Sequence, residues 1–271
     1  MQKTIFMAED DNKNLSAAKE ALKDRYNLMT MPSVEELLQK DKSDLILTDI
    51  ETLDVFLRER THQLQKLQDG MVYVLTNLIE NRSNGTIGHI EHATTYMRIL
   101  IEAMIAQGVY TEELCKFDMK MLCSAARLYD VGKIAIPPSV LNKPGKLTDE
   151  EFEIMKTHAV QGVRIIEQMA SRAGDNIDFI INAKLFAGYH HERWDGKGYP
   201  YGLDRLNIPI QGRIMAIVDV YDALISERPY KQPFTPEEAG KIIMDSAGEM
   251  FDPLIIDVFH NILEQLKTVE R

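Results

Sequence analysis

Seven histidines occur in the 271 residues, and most of them stand beside other groups able to hold a metal ion. His89 opens the run GHIEHATTYM, Asp130 closes AARLYD, and His158 lies in MKTHAVQG. His190 and His191 are adjacent in GYHHERWDG, and Asp219 sits in MAIVDVYDA. Neutral imidazole nitrogens and carboxylate oxygens are a donor set that suits Fe, Mn, Ni or Zn. Adjacent side chains point about 100° apart on a regular helix, so His190 and His191 reach one centre only near a helix end, which the following Trp-Asp-Gly supplies. Asp219 is flanked by Ala, Ile and Val, where a buried carboxylate is costly unless it is paired or bound to metal. A single histidine on a helix is more often structural than a ligand, so the set carries the expectation and no one member does.

The elements that must position these groups are mostly helices. From His89 onward the pattern is helical, interrupted by two turn-rich stretches, Pro137 to Leu147 and Arg193 to Leu203. Loops of that composition on a rigid helical frame are where ligand contacts concentrate. Upstream, Leu57, Leu64, Leu67, Met71, Val74 and Leu78 follow steps of seven, three and four, the spacing of a coiled-coil seam. This stretch reads as a long connecting helix that either pairs with its twin in a homodimer or packs on its own domain. The first fifty residues alternate as βαβαβ with a parallel sheet, and acidic Asp10, Asp11 and Asp49 fall at strand ends. This segment resembles the first half of a response-regulator receiver domain, with Asp49 at the phosphorylated position and Asp10 and Asp11 at the magnesium ligands. The later receiver strands are missing, so it reads as a truncated remnant.

Composition narrows the partners. A net charge of -11 argues against binding nucleic acid or anionic membrane over a broad face, which needs clustered Lys and Arg. An anionic ligand therefore has to meet local positive charge, most simply a metal. No run of 18 apolar residues and no secretory signal pattern is visible, so a cytoplasmic location is expected. Cys115 and Cys123 are expected as free, buried thiols on one helix.

The order YDVGKIAIPPSVLNKPGKLTDEEFEIMKTH, then HHERWDGKGYPYGL, then IPIQGRIMAIVDVYDALISERPYK and FDP, resembles the HD-GYP family over roughly Asn81 to Phe259. The resemblance implies a mainly α fold. An all-helical HD-superfamily domain (81–271) follows a partial α/β receiver-like segment (1–53) and a long linker helix (54–80). It implies a metal-dependent phosphodiesterase that hydrolyses cyclic di-GMP to linear diguanylate or GMP. Two divalent ions are expected, Fe or Mn, with Ni or Zn as alternatives. By matching position one ion takes His89, Asp130 and Asp219, and the other takes Asp130, His158, His190 and His191. Asp130 and Lys133 carry catalysis, and Lys143, Lys146, Arg193, Trp194 and Tyr199 meet the substrate. Trp194 serves either to stack on a guanine or to anchor its loop. Gly198, Tyr199 and Pro200 form the GYP loop, through which members of this kind contact diguanylate cyclases.

The chain departs from the family pattern at one ligand, with Tyr129 where a histidine precedes the aspartate. A phenol of pKa about 10 must lose its proton to bind metal well, so the first site is expected to be weakened. Ser83 and Gly85 replace acidic residues upstream, which argues against a third ion. These departures leave a second reading open, that of a catalytically degenerate cyclic-dinucleotide-binding or protein-interaction module.

Overall fold

The computed structural model of the chain describes residues 4–7, 19–24, 27–30, 45–47, 50–83, 88–173, 178–226 and 232–269. The chain divides into two compact units, Met1–Asp69 and Gly70–Arg271, with the boundary inside one long helix, α1 (Ile50–Arg82).

The first unit holds three short strands, β1 (Thr4–Met7), β2 (Asn27–Thr30) and β3 (Leu45–Leu47), in a parallel sheet of order β2-β1-β3. Ile5 pairs with Leu28 on one side and with Leu45 on the other. Parallel neighbours need a crossover, and residues 19–22 of the first crossover are helical. Asp10, Asp11 and Asp49, the receiver-like carboxylates, lie outside the described residues, as does Gly85.

The second unit is helical among its described residues, apart from one isolated bridge between Ala247 and Phe251. After α1 come α2 (His89–Ala106), the single turn α3 (Thr111–Leu114) and α4 (Met119–Ala126). A 3-10 turn (Val131–Ala135) and α5 (Pro138–Leu141) lead into α6 (Asp149–Ala173) and α7 (Asp178–Tyr189). The chain closes with α8 (Ile210–Ile225), α9 (Pro236–Asp245) and α10 (Pro253–Leu266).

Helix α8 is apolar on nearly every face, as a helix at the centre of a core must be, and it packs against α2, α7 and α9. Around it, α2 contributes Ile90, Ala93, Met97, Leu100, Ile101 and Met104 to the same core. Helix starts are held by side chains placed for the purpose. Asp118 accepts from the Met121 amide, Thr235 and Glu238 form a reciprocal capping pair, and Asp252 accepts from the Leu254 amide.

The two cysteines do not share a helix. Cys115 follows the last residue of α3 and is exposed, while Cys123 is half-buried in α4, so the expectation of two buried thiols on one helix is corrected for both. The reason is local, since Lys116, Phe117 and the helix-starting Asp118 break the pattern between them.

Candidate metal centre

The six candidate ligands come from five different places in the chain. His89 is the first residue of α2, Asp130 immediately precedes the 3-10 turn, and His158 lies within α6. His190 and His191 follow the last helical residue of α7, where the backbone leaves the helix, and their rings lie 4.0 Å apart between centroids. Asp219 is on α8.

Gly132 sets the approach between two of these places. A Cβ at Gly132 would sit 1.9 Å from the His158 carbonyl oxygen and 2.5 Å from the Gly162 amide, so only glycine lets the turn after Asp130 lie directly on α6. Asp130 is four residues past the end of α4, in a turn, rather than at the helix terminus that the sequence suggests.

The side chains gather into two groups, His158 with His190 and His191, and His89 with Asp130 and Asp219, with ligand atoms within 4.8 Å in each. Asp130 stands between them. Its Oδ1 lies 3.5 Å from His158 Nε2 and 3.8 Å from His190 Nε2, too far for hydrogen bonds, and is buried without a partner. Its other oxygen receives Lys133 Nζ at 2.5 Å.

The tautomers are arranged for metal binding. His158 Nδ1 donates to the Met155 carbonyl at 2.6 Å and His190 Nδ1 to the Phe186 carbonyl at 2.9 Å, which leaves each Nε2 with a bare lone pair. The two Nε2 atoms face each other at 3.3 Å. Burial lowers the pKa of His158 to about 4 and that of His191 well below the ordinary value, so both rings are neutral at pH 7. Three imidazoles converging beside an unpartnered buried carboxylate oxygen fit a divalent ion of the Fe, Mn, Ni or Zn class.

The other group is different because Tyr129 fills it. The Tyr129 hydroxyl lies 2.8 Å from His89 Nε2 and donates to Asp219 Oδ1 at 3.1 Å, so it engages the atoms an ion would need. Burial raises the phenol pKa well above its ordinary value, and the carboxylates of Asp219, Asp130 and Asp222 raise it further. The phenol therefore stays protonated and is a poor ligand. Burial alone would lower the pKa of His89, but the nearby carboxylates of Asp219 and Asp222, the latter accepting a hydrogen bond from Nδ1, outweigh it and lift the value to about 10. Protonated His89 has no lone pair to offer, and this group fits an ion poorly as it stands.

The expected substrate-facing residues divide. Tyr199 walls the histidine cluster, its ring stacked on His191 at 4.7 Å and edge-on to Phe152 at 6.3 Å. Arg193 is committed to Asp195 by two hydrogen bonds of 3.0 and 2.8 Å, and Lys143 to Glu151 at 2.5 Å. Trp194 is half-buried, and its amide donates to the Met250 carbonyl at 3.0 Å, tying the loop to the segment before α10. Lys146 is exposed.

Three carboxylates that shape the site were missed by sequence reasoning. Asp222 is fully buried and hydrogen-bonds His89 Nδ1, while Ser226 donates to the same oxygen at 3.2 Å. Glu80 accepts the amides of Gly88 at 3.1 Å and Ile90 at 2.8 Å, capping the helix that begins with His89. Glu192 accepts the amides of Tyr201 at 2.7 Å and Leu203 at 2.9 Å and so holds the loop after Tyr199. Only Asp222 carried a usable signal, its spacing of three from Asp219 on one helix.

A family model described as HD domain matches residues 73–255. The chain is 39% identical over 223 residues, 82% of its length and 51% of the relative's, to a probable cyclic di-GMP phosphodiesterase of Vibrio cholerae. It is 40% identical over 213 residues, 79% of its length and 43% of the relative's, to a cyclic di-GMP phosphodiesterase of the same organism. The chain thus spans about half the length of these relatives. Among solved structures, a cyclic GMP-AMP specific phosphodiesterase of V. cholerae shares the fold, with a TM-score of 0.50 at 18% identity, covering 74% of this chain and 50% of that one. Helical architecture, clustered histidines and a matching family model together place the chain in the HD domain family.

Proposed function

We propose that the chain is a cytoplasmic, metal-dependent phosphodiesterase that hydrolyses cyclic di-GMP to linear diguanylate or GMP. The observation that carries this reading is Asp130 Oδ1, buried and without a partner beside the facing Nε2 atoms of His158 and His190. Such an orphaned carboxylate oxygen is costly unless a cation completes it. The names of the two Vibrio cholerae relatives support the substrate.

His158, His190, His191 and Asp130 would hold one divalent ion, Fe or Mn, with Ni or Zn as alternatives. His89 and Asp219 would contribute, with Asp130, to a second site that Tyr129 weakens. A bound ion supplies a lowered pKa for water and polarises a phosphoryl oxygen. The chain's own groups do the rest. Lys133, held on Asp130, presents positive charge to a phosphate oxygen. The Tyr199 ring closes one wall of the histidine cluster and limits solvent there. Water adds to phosphorus as the P–O3′ ester bond breaks, and the departing ribose oxygen takes up a proton. Lys143 or Lys146 is assigned to the ligand's second phosphate, Lys143 after exchanging Glu151 for it, and Arg193 and Trp194 are assigned to a guanine. The organisation proposed is 1–53 receiver-like, 54–80 linker helix and 81–271 phosphohydrolase, forming a homodimer through the linker helix, with a diguanylate cyclase contact through the GYP loop.

The second reading, a degenerate module that binds cyclic dinucleotides or proteins without turnover, is favoured by the Tyr129 hydroxyl lying on His89 and Asp219. The deciding experiment incubates purified protein, reconstituted with Fe(II) or Mn(II), with cyclic di-GMP and with cyclic GMP-AMP. Linear product from cyclic di-GMP, abolished by His158→Ala, is expected. Binding of cyclic di-GMP without product would overturn the enzyme in favour of the module.

A further inference from the structure

A cyclic dinucleotide carries two bases, and Arg193 and Trp194 answer for one of them. Beside the histidine cluster stands a second pair of groups fitted to a purine. Phe152, in the first turn of α6, is 47% exposed. A single wet apolar side chain is ordinary, and Phe152 differs in its company. Its ring stands edge-on to Tyr199 at 6.3 Å, and Tyr199 in turn stacks on His191 at 4.7 Å. An exposed aromatic surface therefore lies one ring away from the side chains that would hold the ion. That separation suits a nucleotide, in which a ribose stands between phosphate and base.

Lys156 completes the pair. It follows Phe152 by four residues on α6, so the two side chains are neighbours on one helix face. Its Nζ lies 5.6 Å from the centre of the Phe152 ring and 5.8 Å from that of Tyr199. The carboxylate that holds it, Glu153 at 2.6 Å, has a side chain 69% exposed to water. So wet an ion pair contributes little to stability and exchanges readily for another partner.

The two groups supply different parts of base recognition. Stacking on an aromatic ring takes any base, because every base has a π face. An ammonium has donors alone. It pairs with guanine, whose O6 and N7 are both acceptors, and meets adenine badly, because adenine carries an amino donor at position 6.

We propose that Phe152 and Lys156 form the subsite for the second guanine, with Phe152 as the stacking platform and Lys156 as the specificity-determining residue that separates guanine from adenine. The inference rests on the cyclic di-GMP reading above and adds to it the residues that choose the base.

The test uses the full chain reconstituted with Mn(II), as wild type, Phe152→Ala, Phe152→Trp and Lys156→Gln, with circular dichroism checking the fold. Isothermal titration calorimetry measures affinity for cyclic di-GMP and cyclic di-AMP, and product formation is followed beside it. Phe152→Ala is expected to weaken both nucleotides about tenfold and to leave their ratio, and Phe152→Trp to restore both. Lys156→Gln is expected to weaken cyclic di-GMP about tenfold and cyclic di-AMP little, so that the preference collapses. A Phe152→Trp chain as weak as Phe152→Ala would make the ring structural and overturn the proposal. An equal loss for both nucleotides in Lys156→Gln would put that lysine on a phosphate and overturn it too. Wild type that binds and hydrolyses cyclic di-GMP, with variants that behave as wild type, sinks this subsite alone. Wild type that does neither sinks the phosphodiesterase reading together with it.

Discussion

The Tyr129 hydroxyl lies 2.8 Å from His89 Nε2, on the ring nitrogen that faces Asp219. With Asp222 on the other nitrogen and Asp219 accepting from the phenol, His89 is satisfied on both sides without an ion. A protonated imidazole and a neutral phenol occupy the ground on which a first metal would stand.

Replacing Tyr129 by histidine should reopen that ground. Tyr129→His is expected to raise bound metal from about one to about two ions per chain and to raise turnover of cyclic di-GMP by at least about tenfold, since electrostatic stabilisation at the reacting phosphate is commonly worth that much. Metal analysis of the Fe-reconstituted proteins, read beside product formation, checks both. An unchanged metal content would show that Tyr129 is not what limits the first site.

The metal-free protein should have a stability maximum near neutral pH. His158 has a folded pKa of about 4 against an ordinary 6.5, so the unfolded chain binds the proton more readily between those values. Its contribution is complete above pH 6.5 and is lost as pH falls toward 4, on the order of 3 kcal/mol at 1.36 kcal/mol per unit. His89 acts with the opposite sign. Its folded pKa of about 10 gives stability that is complete below pH 6.5 and lost as pH rises toward 10. Melting temperatures of the EDTA-treated chain between pH 4.5 and 9 check this, and His158→Gln should flatten the acid limb alone.

Asp252 is a structural keystone. It is fully buried, accepts Arg213 Nη1 and the Tyr110 hydroxyl at 2.9 Å each, and caps α10. Asp252→Ala leaves the Arg213 charge buried with one partner fewer and is expected to cost about 3–5 kcal/mol. Urea unfolding measures the loss. A cost below about 1 kcal/mol would mean that water or Glu113, 3.7 Å from Arg213 Nη2, takes over.

Glu192 is expected to govern the loop that carries Tyr199. Glu192→Ala strands the amides of Tyr201 and Leu203, at about 1–3 kcal/mol each. Faster hydrogen exchange at those two amides, with the α2 amides unchanged, is the expected signature. Gly198→Ala should disturb the same loop from the other side, because its Cβ would stand 2.4 Å from the Arg193 amide.

The chemical kind of the site was readable because its members are scarce and set in contrasting surroundings. Few histidines occur, and two of them are adjacent before Trp-Asp-Gly, where a helix has to stop. The helical second unit was readable for a similar reason, since its apolar residues recur at helical spacing over long stretches. The exposed seam of α1 was visible as heptad spacing, and the burial of Val72 and Ile79 shows that the same helix also packs on its own unit. Tertiary structure decided which side chains are already spent. Arg193 and Lys143 look like free cations in sequence, yet Asp195 and Glu151 hold them, two and eight residues away. Asp222 reaches His89 across 133 residues and Glu80 caps the helix start that carries it. Residue type and local spacing determine what a side chain is able to bind. Which partner it takes depends on where packing brings distant backbone together, as at Gly132 against the His158 carbonyl, and no local pattern encodes that distance.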